Sequence, residues 1–585
     1  MFSLALRRSL SCTVAALLLF AAGVASAQTP TFAPSLIGKP VTLEGRLEVL
    51  VEDYADGHAA VRHFLVTKND RIPLQFAGRA PQLASGTRVR VHGRAQSDAL
   101  EIGAGAGDIV PLETVLPDTM GEQSIAVLLV NFQDDTSQPK TIAQAQDLVF
   151  GEVSNHYRES SFGQTSFKGQ AFGWYTVAMS KNACDPYKLA SLADAQATAA
   201  GVNLAAYQRR VYMFPAMACP WLGLGTIGGV GTQAWINGTL NLWVVGHEMG
   251  HNYGLHHAHS LDCDTTVTDW VCNKFVYGDA ADIMGNNLAG QFSPFQKERL
   301  GWLNDGISPP ITTVAANGRY SIEPYSASTA GIKALKIPRG TDSSGHKLWY
   351  YVEYRQPIGV DAVLANAGNL TQGVMVRIAT EGDAESMYQL DMTPGSSNEY
   401  FKEMADGALG VGKTFYDGDT GVSLTLASAN GVGADIDVNF GPTTCTRATP
   451  SVWLGAVTPS GVPAGSSVSY QIQVTNYDSP ACPATTFDLA QSVPAGWTAK
   501  LDLPSVTIKP GITGIAVLDV TSSGSAALGT YKIGMAASSA IGAVHTANAY
   551  SVDYVVIPPC HRVAPTVTLT GGGTGVRAGT RVTYT

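Results

Sequence analysis

From Gln28 to about Gly121 hydrophobic and polar residues alternate in short runs, as in Val41-Thr-Leu-Glu-Gly-Arg-Leu-Glu-Val-Leu50, His63-Phe-Leu-Val-Thr67 and Arg88-Val-Arg-Val-His-Gly-Arg94. A period of two sends successive side chains to opposite faces, so each run predicts a half-buried strand. The Gly and polar turns between them predict a small β-barrel. A loose stretch, Gly103-Ala-Gly-Ala-Gly-Asp108 with Pro111 and Pro117 after it, leads into Ser124-Ile-Ala-Val-Leu-Leu-Val-Asn-Phe132, a run apolar enough for a strand buried on both faces. Ile142, Ala145, Val149 and Val153 then recur at helical spacing, and Tyr157-Arg-Glu-Ser-Ser-Phe-Gly-Gln-Thr-Ser-Phe167 reads as turn-rich. Further strands run to Ala234-Trp-Ile236, before a helix that contains His247. Strand, helix, strands and helix predict an α+β domain over 122–305.

Beyond it strands dominate, including Leu348-Trp-Tyr-Tyr-Val-Glu-Tyr-Arg355 and Gly373-Val-Met-Val-Arg-Ile378, and 306–442 reads as a β-sandwich. The C-terminal part repeats: Cys445-Thr-Arg-Ala-Thr-Pro-Ser-Val452 recurs as Cys560-His-Arg-Val-Ala-Pro-Thr-Val567, and Ala464-Gly-Ser-Ser-Val-Ser-Tyr470 as Ala578-Gly-Thr-Arg-Val-Thr-Tyr584. The repeat length predicts an Ig-like module over 443–558 and the start of a second, truncated one over 559–585.

Composition adds an export signal and removes some function classes. Met1 to Ala27 carries Arg7 and Arg8, an apolar run from Val14 to Val24, and Ala25-Ser26-Ala27 before Gln28. This is the layout of a secretory signal peptide whose apolar core is too short for a membrane span. The expected mature chain is secreted and extracellular, in the manner of bacterial export, with no membrane span. The net charge is −10, and no basic cluster exists, which argues against nucleic acid as a partner. Apart from Cys12 in the leader, the cysteines are Cys184, Cys219, Cys263, Cys272, Cys445, Cys482 and Cys560. In an exported chain nearest neighbours are expected to pair, Cys184 with Cys219, Cys263 with Cys272, and Cys445 with Cys482. Cys560 is then left unpaired. Asn237-Gly-Thr239 and Asn369-Leu-Thr371 are glycosylation sequons.

The chemistry is concentrated in Trp243-Val-Val-Gly-His-Glu-Met-Gly-His-Asn-Tyr-Gly-Leu-His-His257, where His247, Glu248, His251, Gly254 and His257 fit the zinc-protease spacing H-E-x-x-H-x-x-G-x-x-H. His247 and His251 are one helical turn apart and project from one face, where two imidazoles share a metal. Gly254 takes positive φ without a Cβ clash, ends the helix and lets His257 come round as third ligand. Three neutral imidazoles leave the fourth tetrahedral position of one catalytic Zn²⁺ open, and Glu248 stands beside it as general base. The competing reading is scattered histidines on an ordinary helix. By composition the full set would arise by chance about once in ten thousand chains of this length. His256 and His259 fall off the spacing and read as polar residues beside the site.

Downstream, Asp282-Ile-Met284-Gly285 resembles the methionine turn beneath the metal of metzincin proteases, although Asn286 stands where a serine or tyrosine is usual. Asp417-Gly-Asp419 offers two carboxylates to Ca²⁺, but such a pair in a Gly-rich turn is more often only a turn. Asn155-His-Tyr-Arg-Glu-Ser-Ser-Phe-Gly-Gln164, Gly246-His-Glu-Met-Gly-His-Asn-Tyr-Gly-Leu-His-His257, Tyr277-Gly-Asp-Ala-Ala-Asp-Ile-Met-Gly285 and Phe295-Gln-Lys-Glu-Arg-Leu-Gly-Trp302 together resemble the gametolysin-type metallopeptidases, a metzincin branch, over roughly residues 122 to 440. The resemblance implies a multidomain protein: an α+β metzincin-like catalytic domain flanked by the N-terminal β-barrel-like domain and C-terminal β-sandwich domains. It also implies a secreted endopeptidase acting on matrix or cell-wall proteins, including glycoproteins. The alternative is an extracellular binding protein or adhesin that uses a protease-like scaffold and its Ig-like modules. Glu248 favours the enzyme, because a scaffold needs no carboxylate beside the metal.

Residues 28–121 read as a propeptide, the alternative being a permanent accessory domain. No cysteine lies between Gln28 and Ala183, so latency could not use a thiolate on the metal and must come from a carboxylate, another side chain or steric cover.

Overall fold

The computed structural model describes residues 32–105, 107–269, 272–397, 400–441, 445–457, 461–479 and 482–559. The expected signal peptide, Cys560 and all but the first residue of the expected second module lie outside them. The protein is mostly β, with few helices, and divides into two units. The first is Met1–His259 with Val276–Trp302 and Asp383–Glu385, and the second is Ser260–Phe275, Leu303–Gly382 and Ser386–Thr585.

In the first unit the alternating runs form β1 (Pro40–Tyr54), β2 (Ala59–Val66), β3 (Arg71–Phe76), β4 (Arg88–Ala95), β5 (Leu100–Ile102) and β6 (Ile109–Glu113). Pairings β1–β2, β2–β3, β3–β5, β5–β4 and β4–β1 close a ring. Its interior holds Leu47, Val49, Val51, Leu65, Val89 and Leu100, the apolar members of the alternation. β1 runs past the ring. Its last residues, Leu50 to Tyr54, pair antiparallel with Thr226 to Trp221.

That pairing joins the ring to β7 (Gly121–Phe132), β8 (Thr165–Val177), β9 (Arg209–Phe214), β10 (Trp221–Thr226) and β11 (Thr232–Asn237), so the described residues form an 11-stranded sheet in which β1 lies beside β10. The two halves exchange side chains. Leu50 packs with Leu128, Phe214 and Trp221, while Ile227 packs inside the ring.

Helices α1 (Ile142–Asp147), α2 (Ser154–Ser160), α3 (Pro186–Ala199), α4 (Leu242–Asn252) and α5 (Pro294–Arg299) cover this sheet's neighbourhood. Thr141 and Gln144 form a reciprocal capping box at the start of α1. A π-helical turn, Leu148–Val153, carries the chain straight from α1 into α2. The helical run therefore continues through Tyr157 to Ser160, only 161–164 of the segment read as turn-rich is a turn, and Thr165 already begins β8. Ser154, His156, Tyr157 and Ser160 are all buried, which tertiary packing rewards over local turn propensity. Three disulfides join Cys184 to Cys219, Cys263 to Cys272 and Cys445 to Cys482.

The second unit consists of two pairs of sheets. Lys347–Glu353 and Gly373–Thr380 pair antiparallel in one sheet, Ser423–Asn430 and Gly433–Asn439 in another, and Val352, Val376, Leu424 and Ile436 from both share one core. Asp417 accepts hydrogen bonds from Tyr350, Arg339 and Thr420, and Asp419 donates its backbone N–H to Asp417, the geometry of a tied turn. Between 445 and 559, a four-stranded and a five-stranded sheet enclose Leu454, Ile472, Leu518, Phe487 and Ile533. Among the described residues no helix is long and apolar enough to cross a membrane.

Candidate metal centre

Asn241 caps α4 by accepting from the Val244 amide at 2.9 Å. The helix ends in a Schellman pattern: Leu255 N–H donates to Gly250 O at 3.1 Å, and Gly254 N–H to His251 O at 2.8 Å. Gly254 has φ +91°, and a Cβ there would also press on Pro117. This reversal returns His257 to the face that carries His247 and His251. The three ring centroids stand 4.9, 5.2 and 5.0 Å apart.

Each helix imidazole is oriented from behind. His247 Nδ1 bonds Ile283 O at 3.0 Å and His251 Nδ1 bonds Leu255 O at 2.8 Å, which makes Nδ1 the donor and leaves Nε2 with a free lone pair. Met284 is buried beneath the helix, where a Cβ on Gly250 would strike its sulfur. Its turn is pinned by Asp282, which accepts from Met284 N at 2.8 Å and Ser293 N at 2.6 Å. Tyr157 Oη donates to Gly246 O at 2.7 Å and braces the helix. His256 bonds Glu385 at 3.0 Å and His259 bonds Val276 O at 2.9 Å, so both stand beside the cluster and outside it.

Two residues that sequence reasoning missed complete the centre. Asp53 continues the buried alternation of Leu47, Val49 and Val51 along β1, and the register on β10 shifts only after it, at Asp53/Tyr54. Its Oδ1 is 2.8 Å from His257 Nε2, and its Oδ2 is 3.1 Å from His251 Nε2 and 3.4 Å from His247 Nε2. One ligand atom from each of these four residues lies within 4.8 Å of every other. Tyr277 Oη donates to Asp53 Oδ1 at 2.6 Å, and its ring lies 4.4 Å from that of His257. A tyrosine is therefore present after all, supplied from before the methionine turn.

Glu248 lies against β10. A Cβ on Gly223 would collide with its carboxylate, and one on Gly225 would come within 2.9 Å of it, so these glycines make room for Glu248 and α4. Burial raises the Glu248 carboxyl well above the usual range, and the neighbouring Asp53 adds to this. Burial would also raise Asp53, but the imidazoles, His251 foremost, hold it well below its ordinary value. Burial lowers His257 to about 3 against the pull of Asp53. Burial, then Asp53, raises the Tyr277 hydroxyl, which stays a proton donor.

The residues fit a divalent cation. His247 Nε2 and Glu248 Oε2 are buried polar atoms without a hydrogen-bond partner. Two carboxylates are buried side by side among imidazoles, an arrangement that costs several kcal/mol unless positive charge offsets it. Three imidazole nitrogens and a carboxylate oxygen are a donor set suited to zinc. Of the two sequons, Asn237 is buried and its amide donates to Cys219 O at 3.1 Å and Trp221 O at 2.8 Å, which closes it to glycosylation.

Residues 138–385 match the family model of the gametolysin peptidase M11, which supports a gametolysin-type metallopeptidase. No curated protein matches the chain. Among solved structures, a CARDB domain from Pyrococcus furiosus in complex with di-metal ions is similar at 17% identity over 19% of this chain and 96% of that one, with a TM-score of 0.14. A conjugative transposon lipoprotein from Bacteroides eggerthii is similar at 15% identity over 18% of this chain and 94% of its own, with a TM-score of 0.12.

Proposed function

We propose that this gametolysin-type chain is a secreted, zinc-dependent endopeptidase that hydrolyses extracellular or cell-wall proteins. The observation that carries the reading is the convergence of His247, His251 and His257 with Glu248 adjacent to them. Zinc held by the three imidazoles would polarise a scissile carbonyl and acidify a water molecule. Glu248 accepts the proton of that water and passes it to the leaving amine. Tyr277 donates its hydroxyl to the oxygen on which negative charge develops. Once the N-terminal domain is released, the β10 backbone groups that β1 pairs would be open to an extended peptide, whose pairing would hold the scissile bond over the three imidazoles. The N-terminal β domain, residues 28–121, is a propeptide on this reading. The test is incubation of the zinc-loaded, propeptide-free protein with casein, with and without a chelator. Cleavage that the chelator stops supports the reading, and no cleavage of any protein substrate ends it.

A further inference from the structure

We propose that Asp53 is the latch of a latent form: its carboxylate takes the fourth position around the metal that His247, His251 and His257 hold. This rests on the metal-peptidase reading and names the regulation of the same site. Three observations carry it. First, the two oxygens are divided over the cluster, Oδ1 at 2.8 Å from His257 Nε2 and Oδ2 at 3.1 Å from His251 Nε2, so the carboxylate sits where water and the scissile carbonyl must enter. Three imidazoles and one carboxylate make a closed tetrahedral set, the pattern of a metal that does no chemistry.

Second, the strand that presents Asp53 lies along β10 as an extended peptide would. Leu50 to Tyr54 pair antiparallel with Thr226 to Trp221, and Asp53 faces Gly223, directly over Glu248. The latch therefore excludes a substrate twice, by its carboxylate on the metal and by its backbone on β10. Tyr277 contributes a hydrogen bond of 2.6 Å to the same Oδ1.

Third, the strand is held by a folded body. Beyond the exchange of Leu50 and Ile227 between the two cores, the Arg71 guanidinium stacks 3.7 Å over Tyr187 of α3, and Arg79 and Gln82 both bond Asp383 at the far side. A carboxylate fixed this way competes at a high effective concentration, so it blocks the site without great intrinsic affinity.

The experiment uses the full exported chain loaded with Co²⁺ in place of zinc, with acetohydroxamate as a small probe of the open position. Wild-type protein is expected to show a visible Co²⁺ spectrum that the probe barely changes. Asp53→Ala should keep one Co²⁺ per chain and bind the probe at least about tenfold more tightly, with a clear spectral shift. Asp53→Asn preserves side-chain volume and is the control for folding, expected to open the site in the same direction. Equal probe binding by wild type and both variants at equal metal content overturns the latch. Failure of all three to hold Co²⁺ overturns latch and peptidase together. Variants that bind the probe but cut no protein even after release of the N-terminal domain, which takes the β1 backbone off β10, overturn the peptidase reading and leave the latch standing.

Discussion

On the proposed reading Glu248 moves a proton and does not hold the metal, so Glu248→Gln should retain the bound metal while kcat falls by roughly 10²–10⁴. Metal analysis and a peptidase assay on the propeptide-free variant check the two halves separately. Tyr277→Phe removes one donor to the developing oxyanion and should lower kcat about 10²-fold with KM little changed. A rise in KM alone would assign Tyr277 to substrate binding. The imidazoles and Glu248 were legible in the sequence because one helix and one glycine turn fix their spacing locally. Asp53 was not, since it stands 198 and 204 residues from His251 and His257 and reaches them only through the register of β1 on β10. Its flank, Glu52-Asp-Tyr-Ala-Asp-Gly57, carries the polar and glycine marks of a hairpin turn and hides its role. Tyr277 belongs to the run Tyr277-Gly-Asp-Ala-Ala-Asp-Ile-Met-Gly285, but no local pattern marks its hydroxyl as facing the site.

Helix α4 depends on its last turn. With φ at +91°, Gly254→Ala would cost about 1–2 kcal/mol in backbone strain, push on Pro117 and draw His257 out of line. A lower Tm together with weaker metal binding is the expected result. Strands were legible where apolar and polar residues alternate, yet β1 continues from Leu50 to Tyr54 between β2 on one side and β10 on the other, and no local pattern announces the β10 partners. In the second unit, Asp391 is raised to about 7, by burial first and then by Glu403, while the Thr393 amide pulls the other way. The unfolded chain loses this proton near pH 4 and the folded one only near pH 7, so stability falls as pH rises between those values and is level above. Asp391→Asn should flatten that slope in thermal unfolding of the second unit. An unchanged slope would remove Asp391 from the account.

Within Gly103–Ser124, the stretch Thr114–Met120 between β6 and β7 carries no strand, and its Leu116 is 80% exposed. Release of the N-terminal domain should therefore yield a new N-terminus in that stretch, readable by mass spectrometry of secreted protein. An active enzyme that still begins at Gln28 would make the domain permanent. Thiol titration of the denatured, unreduced chain should find Cys560 free, because the three disulfides use the other cysteines beyond the leader. The strands of the ring were legible from the alternation of apolar and polar residues, whereas the merging of the ring with the sheet of β7 to β11 was not, since strand pairing across such distances leaves no local trace. The most direct measurement is casein cleavage by the zinc-loaded protein after the N-terminal domain has been released. The account predicts cleavage that a chelator abolishes, that added zinc restores and that Glu248→Gln lacks. A zinc-loaded, propeptide-free protein that cuts no substrate, or one whose cleavage survives Glu248→Gln undiminished, would contradict it.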